Sequence, residues 1–411
     1  MFVRRWRVGG RVLVAVAAAT TALAVVSTAG ATSTVPHMSA AAVQQGWQFP
    51  VPGWSSTNKE AGRVDDILRV GRTVFIAGNF TTAADHNGNV QQRSYLAAED
   101  AVSGALLPFA PALNGRAFFL AVSPDRKTLY VGGSFSTVDG QPHSKLVAFD
   151  IASGQVSPVV PNLGINGTVK AIAAVGSDLY LGGGFTSVSG QGRTRLARLS
   201  LAGDRFALDA GWQASASDEV RDLVADPTSG RLIVAGWFKA LDGTTSSGHL
   251  GAVSLATGDL AAWASHPGYE ILDIARCGSE LYAAMGGPGG TALAFDFAGG
   301  HQQWYYKTDG NVQAVATIGG YPVYGMHGDY VAPKANVSMK EYGTSKRISR
   351  HKVFMLSPDG VLQAWAPPLT STQGVLGVWA LRGGGGSMYV GGDFTRVDGG
   401  DQARFAIFPS V

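Results

Sequence analysis

Three aspartates stand at one point of a recurring phrase: Asp66 in Val64-Asp65-Asp66-Ile67, Asp222 in Val220-Arg221-Asp222-Leu223 and Asp273 in Ile271-Leu272-Asp273-Ile274. Carboxylates brought together from distant parts of a chain bind hard cations through oxygen, calcium among them. They can also divide the roles of acid and base in glycoside cleavage. The plainer reading is that each accepts hydrogen bonds from backbone amides or from an arginine such as Arg221. That reading is preferred, because calcium needs several oxygens within short reach and the spacing guarantees no such cluster. Other copies of the phrase carry Ala171 and Ala314 at the same point.

A second group of candidates is basic. Between about Asp329 and Arg350, Lys334, Lys340, Lys346, Arg347 and Arg350 are set among Tyr330, Met339 and Tyr342. A basic insertion in an otherwise near-neutral body suits an anionic cell-wall polymer, a glycan or an acidic protein patch. A solvated loop without a partner is the alternative. His86, His143 and His249 follow the same turn in three copies, and a repeat architecture spreads such positions apart, so no shared zinc site is expected. No Gly-x-Ser-x-Gly elbow, zincin helix or phosphate-cradling loop is present. No catalytic residue is assigned, and no cofactor is expected unless the aspartates take calcium.

The elements that must position these residues are legible in a phrase that repeats at roughly 50-residue intervals, the signature of stacked supersecondary units. It reads Leu129-Tyr130-Val131-Gly132-Gly133-Ser134-Phe135, returns as Leu179-Tyr180-Leu181-Gly182-Gly183-Gly184-Phe185, and again as Met388-Tyr389-Val390-Gly391-Gly392-Asp393-Phe394. Strand and turn residues dominate, so each unit is read as a four-stranded propeller blade. The aspartate phrase is the first strand, expected to line a central channel. The Gly-Gly phrase is the second, with Leu129, Val131 and Phe135 on one face and Tyr130 and Gly132 on the other. Glycine inside a strand marks a close approach, here expected from a side chain of the adjoining blade. Aromatics near the fourth strand, such as Phe109, Trp212, Trp263, Trp304 and Trp365, are expected to cap the core between blades.

First strands start near Val64, Ala117, Val169, Val220, Ile271, Val312 and Val375, which predicts seven blades. Only Pro409, Ser410 and Val411 follow the last third strand, so the final blade lacks a fourth strand of its own. Gln45-Gly46-Trp47-Gln48-Phe49-Pro50 resembles the fourth-strand endings and is expected to complete that blade and close the ring, leaving only short, protected edges.

The phrase Tyr-Val-Gly-Gly-x-Phe-Thr-x-Val-Asp-Gly resembles the delta-60-type repeat family of β-propellers, exported proteins frequent in actinobacteria, and more distantly the kelch-like propellers. The resemblance covers most of Val64 to Phe408. It implies an all-β propeller and assigns no catalytic residues.

Arg4, Arg5, Arg7 and Arg11 precede the apolar stretch Val12 to Val26 and the small residues Ala29-Gly30-Ala31, so residues 1–31 read as a cleaved signal peptide. Residues 32–43 read as a linker and 44–411 as the propeller. Cys277 is the single cysteine, so packing alone holds the exported domain. The net charge of +3 includes the signal arginines, which leaves no footprint for nucleic acid. The expectation is a secreted or cell-surface monomer, not inserted in the membrane after cleavage. It acts as a non-catalytic binding module through loops on one face, toward a glycan, cell-wall polymer or protein. The rival reading is an exported polysaccharide hydrolase or lyase with carboxylates at the channel mouth.

Overall fold

The computed structural model describes residues 35–42, 47–49, 62–85, 87–245, 248–338, 346–371 and 377–411. The expected signal segment therefore lies outside the described residues, as do His86, Lys340, Tyr342 and Val375.

Among the described residues, seven antiparallel sheets share one plan. An inner strand turns back into a second, and the second pairs with a third. The inner strands are Val64–Val70, Ala117–Val122, Val169–Val175, Val220–Asp226, Ile271–Cys277, Val312–Ile318 and Val378–Gly384. Six begin where the spacing predicts, and the last is described from Val378. A fourth strand is present in three sheets, at Arg205–Leu208, Leu260–Ala261 and Gln302–Lys307. In three others it shrinks to one bridge: Leu106 with Glu99, Val156 with Phe149, and Leu362 with Leu356.

The outer edge of the last sheet is met by the start of the described chain. Met38 bridges Ser410, and Ser39 N–H donates to the Pro409 carbonyl at 2.8 Å. This pairing falls within the segment read as a patternless linker; of the expected latch Gln45 to Pro50, the described Gln48 bridges Ala84, and Phe49 N–H donates to Ala403 O, just ahead of the last third strand, at 3.3 Å. Phe49 lies fully buried between Phe80 and Phe405, with ring centroids 4.6 and 6.0 Å away. The physical reason is that edge pairing uses backbone groups alone and leaves no compositional trace. Burial needs an aromatic, and that is what made Trp47-Gln48-Phe49 conspicuous.

Buried residues form seven clusters, each drawn from two neighbouring sheets, and one of them joins Val64, Ile67 and Ile76 to Ala380, Tyr389 and Phe405. The glycine phrase explains how the sheets come so close. A Cβ at Gly132 would stand 2.7 Å from Val169 Cγ1 of the following inner strand, and one at Gly182 would stand 2.5 Å from Val220 Cγ1. Gly391 repeats the contact with Val64 Cγ1, also at 2.5 Å. The expected visitor is thus the first valine of the next inner strand.

The outer radius has its own repeated tie. Indole N–H groups donate across to the neighbouring unit: Trp212 to Ser254 O at 3.1 Å, Trp263 to Phe297 O at 3.1 Å, and Trp304 to Pro358 O at 2.8 Å. Trp365 makes the same bond at 2.9 Å to Ser39 O, so the N-terminal segment stands in the place of the missing turn. Each indole buries its area and satisfies its one donor at the same time.

Because the floor under each valine has no room, Gly391→Val is expected to destabilise the protein by about 1–3 kcal/mol through overpacking. Gly132→Val should cost a similar amount. Urea denaturation midpoints of the two variants check this, and a Gly391 variant as stable as the parent would refute the contact between first and last sheets.

Candidate binding site at the channel mouth

Each inner strand carries a bulge between its first and third residues, for example Val64/Asp66 and Val220/Asp222. A bulge inserts one unpaired residue and re-aims its side chain. The bulged residues are Asp65, Phe118, Lys170, Arg221, Leu272, Gln313 and Trp379, and all seven line one polar cavity of about 350 Å³.

Together with residues just ahead of the inner strands they make a charged and aromatic collar. Asp65 accepts from Arg63 Nε at 2.8 Å and from Arg116 Nε at 2.5 Å. Glu219 accepts from Lys170 Nζ and Arg221 Nη1, both at 2.9 Å. The cations also stack: Arg63 lies 3.8 Å over the Trp379 ring, and Arg116 and Lys170 lie 4.7 and 4.8 Å over Phe118. Arg221 lies 5.4 Å over Trp237, which remains 45% exposed at the rim. Burial alone would raise the carboxyl of Asp65, but Arg63 and Arg116 outweigh it and hold the pKa below its usual value. Burial lowers the ammonium of Lys170, with the like charge of Arg221 adding to it and Glu219 opposing.

The three repeated aspartates line the same cavity, each tied to the sheet that follows. Asp66 accepts from Ile67 N–H at 2.8 Å and from Leu120 N–H, on the next inner strand, at 2.7 Å. Asp222 does the same with Leu223 N–H at 2.7 Å and Ile274 N–H at 3.0 Å. Asp273 accepts from Val315 N–H at 2.7 Å. The plainer expectation, acceptance from backbone amides, describes them. Burial pushes the Asp66 carboxyl up to about 7, against the opposing charge of Arg382. Asp273 is raised well above its ordinary value by burial and by the charge of Asp222, with which it shares a hydrogen bond. Among the described residues no three His, Cys, Asp or Glu side chains converge as a metal site.

The basic insertion leaves the sixth sheet beyond Met326, at the same end as the start of the inner strands. Tyr330–Val331 pairs with Ile348–Ser349 at its base. Lys334 and Lys346 are exposed and Arg347 is half-buried. Arg350 is turned inward, donating to the carbonyls of Ser349 at 2.8 Å and Gln363 at 3.2 Å. Arg93 and Arg193 do the same with Leu107 and Asp209, at 3.0 and 3.1 Å. Arg350 therefore repeats a structural position that the insertion disguised. His143 and His249 lie ahead of the third strands of different sheets, each with a buried Nδ1 that makes no hydrogen bond.

The collar escaped the sequence reading, although its signal was available. It is the middle residue of the phrase Val-x-Asp/Ala-Ile/Leu, which alternation alone assigns to the same face as neither neighbour. Only the bulge sends it into the channel.

A raised carboxyl stabilises the fold below its unfolded pKa and loses that contribution as pH climbs through its folded pKa. Asp66 should thus weaken the protein progressively between about pH 4 and pH 7. Asp66→Asn is expected to be less stable overall, since Leu120 N–H loses a carboxylate, and to show a flatter melting-temperature profile across that window. An unchanged pH profile in the variant would contradict the assignment.

Residues 178–205 match the model of a β-propeller family described as a domain of unknown function, DUF5122. No curated protein matches the sequence. Among solved structures, the chain is similar to one described as the structure of U3-55K, at 12% identity and a TM-score of 0.54, covering 84% of this chain and 95% of that one. It is also similar to the crystal structure of RRP9 WD40 repeats, at 13% identity and a TM-score of 0.54, covering 91% and 100%. With its repeated antiparallel sheets and bulged inner strands, the chain has the fold of an all-β propeller.

Proposed function

We propose that the chain is an exported, closed seven-bladed propeller of the delta-60 type that acts as a non-catalytic interaction module. The observation that carries the reading is the use of the channel carboxylates. Asp66 and Asp222 each have both oxygens engaged by backbone N–H groups of two successive sheets, and Asp273 is tied to the next sheet and to Asp222. A general acid or base must reach the proton it moves, and carboxylates held this way serve as clamps. The mouth instead presents cations, aromatic faces and the basic insertion on one side of the sheets. Propellers support unrelated functions, so this site, and not the fold, bears the argument.

Closure is supported by the Gly391–Val64 approach, the Met38–Ser410 bridge and the Trp365 bond to Ser39. Export is supported by the basic and apolar segments at the start of the chain. The mature protein is expected in the medium with its first residue at Thr32, which N-terminal sequencing checks.

The hydrolase reading draws on one observation, the Asp66 carboxyl that titrates near neutrality. Incubation with a panel of charged and neutral polysaccharides separates the two. The module should be retained on a polymer without producing new reducing ends. Reducing ends that disappear in Asp66→Asn would replace this reading with the enzymatic one.

A further inference from the structure

On one side of the collar a single carboxylate answers two cations: Glu219 serves both Lys170 and Arg221. The repeated acids of the same cavity do not add to that answer: Asp273 is driven toward its neutral form, and Asp66, pushed toward titration near pH 7, faces Arg382 at 3.9 Å, while Arg276 is met by Asp226 at 3.3 Å. Two cations that share one carboxylate between low-dielectric walls attract anions.

The rim adds a second kind of recognition. Trp237 is 45% exposed with Arg221 against its ring. An exposed indole beside a guanidinium suits a ring with an apolar face and a charged edge, whereas a bare inorganic anion would leave the indole unused. A cavity of about 350 Å³ lies within the usual range for small-molecule sites, about 300–1,000 Å³.

We propose that the collar binds an acidic sugar unit, its carboxylate or phosphate facing Lys170 and Arg221 and its ring laid on Trp237. The proposal rests on the reading of the chain as a binding module and names the ligand class and the place. Carboxylate and phosphate share the chemistry that guanidinium groups recognise, so the test carries both.

The mature protein is titrated by calorimetry and tryptophan fluorescence with trigalacturonate, with a glycosyl phosphate, with neutral maltotriose and with AMP. At least one acidic sugar is expected to bind saturably, tenfold or more tighter than maltotriose, and to weaken with added salt. Arg221→Gln and Trp237→Ala should each reduce that affinity at least tenfold. Melting temperatures accompany both, and the exposed Trp237 carries the test should Arg221→Gln unfold. Acidic sugars no tighter than maltotriose, AMP tighter than any sugar, or collar variants with unchanged affinity would overturn the assignment. Binding lost only in a Lys334→Gln, Lys346→Gln double variant would overturn the collar and leave the module reading standing. Failure of every probe here and of the polysaccharide panel would remove both.

Discussion

The whole arrangement depends on how closely one inner strand can lie against the sheet before it. In four sheets the second strand carries glycine at that contact, and the first valine of the following inner strand occupies the space a Cβ would fill, as Val169 does over Gly132 and Val64 over Gly391, while alanine stands there in the others, as Ala77, Ala235 and Ala284. Each unit buries its apolar faces only by meeting its neighbours, which is the general condition of repeat architectures. The tight inner radius has a consequence for chemistry. Strands brought so near cannot keep regular pairing to their ends, and every inner strand opens its ladder with a bulge. The residue freed by the bulge has nowhere to point except into the channel.

Burial then redistributes charge in a way that residue counts do not reveal. The same low-dielectric surroundings that raise Asp66 and Asp273 leave guanidinium groups charged, because arginine does not titrate in proteins. The carboxylates contribute by accepting amide hydrogens from the next sheet, so their polarity holds neighbouring sheets in register at the inner radius. The indoles of Trp212, Trp263, Trp304 and Trp365 perform the matching task at the outer radius.

Several basic residues are likewise structural. Lys145 and Lys352 adopt φ angles of 69° and 80° and donate from Nζ to the carbonyls of Ser134 and His327, both at 2.8 Å. A left-handed backbone at a bulky residue is uncommon, and here it recurs ahead of the third strands, also at Tyr95, Arg195, His249 and Arg404. At Lys145, Arg195 and Lys352 the side chain caps a carbonyl just past the end of the second strand. Arg350 caps others in the same spirit, which separates it from the exposed Lys334 and Lys346 of the insertion.

The sequence alone determined the strand plan, the positions of the inner strands, the glycine contact and the interblade place of the aromatics. All of these follow from local periodicity and from side-chain volume, which a repeat writes several times over. What only the tertiary structure decided was direction and charge. Alternation could not anticipate that a bulge turns Asp65, Lys170 and Arg221 toward one cavity, since a bulge is a response to the neighbouring sheet. Nor could it reveal that Met38, with no distinguishing composition around it, meets the last sheet's edge, because backbone pairing leaves no mark on residue type. The protonation of the channel acids depends on how deeply other units bury them, and burial is a property of the assembled fold.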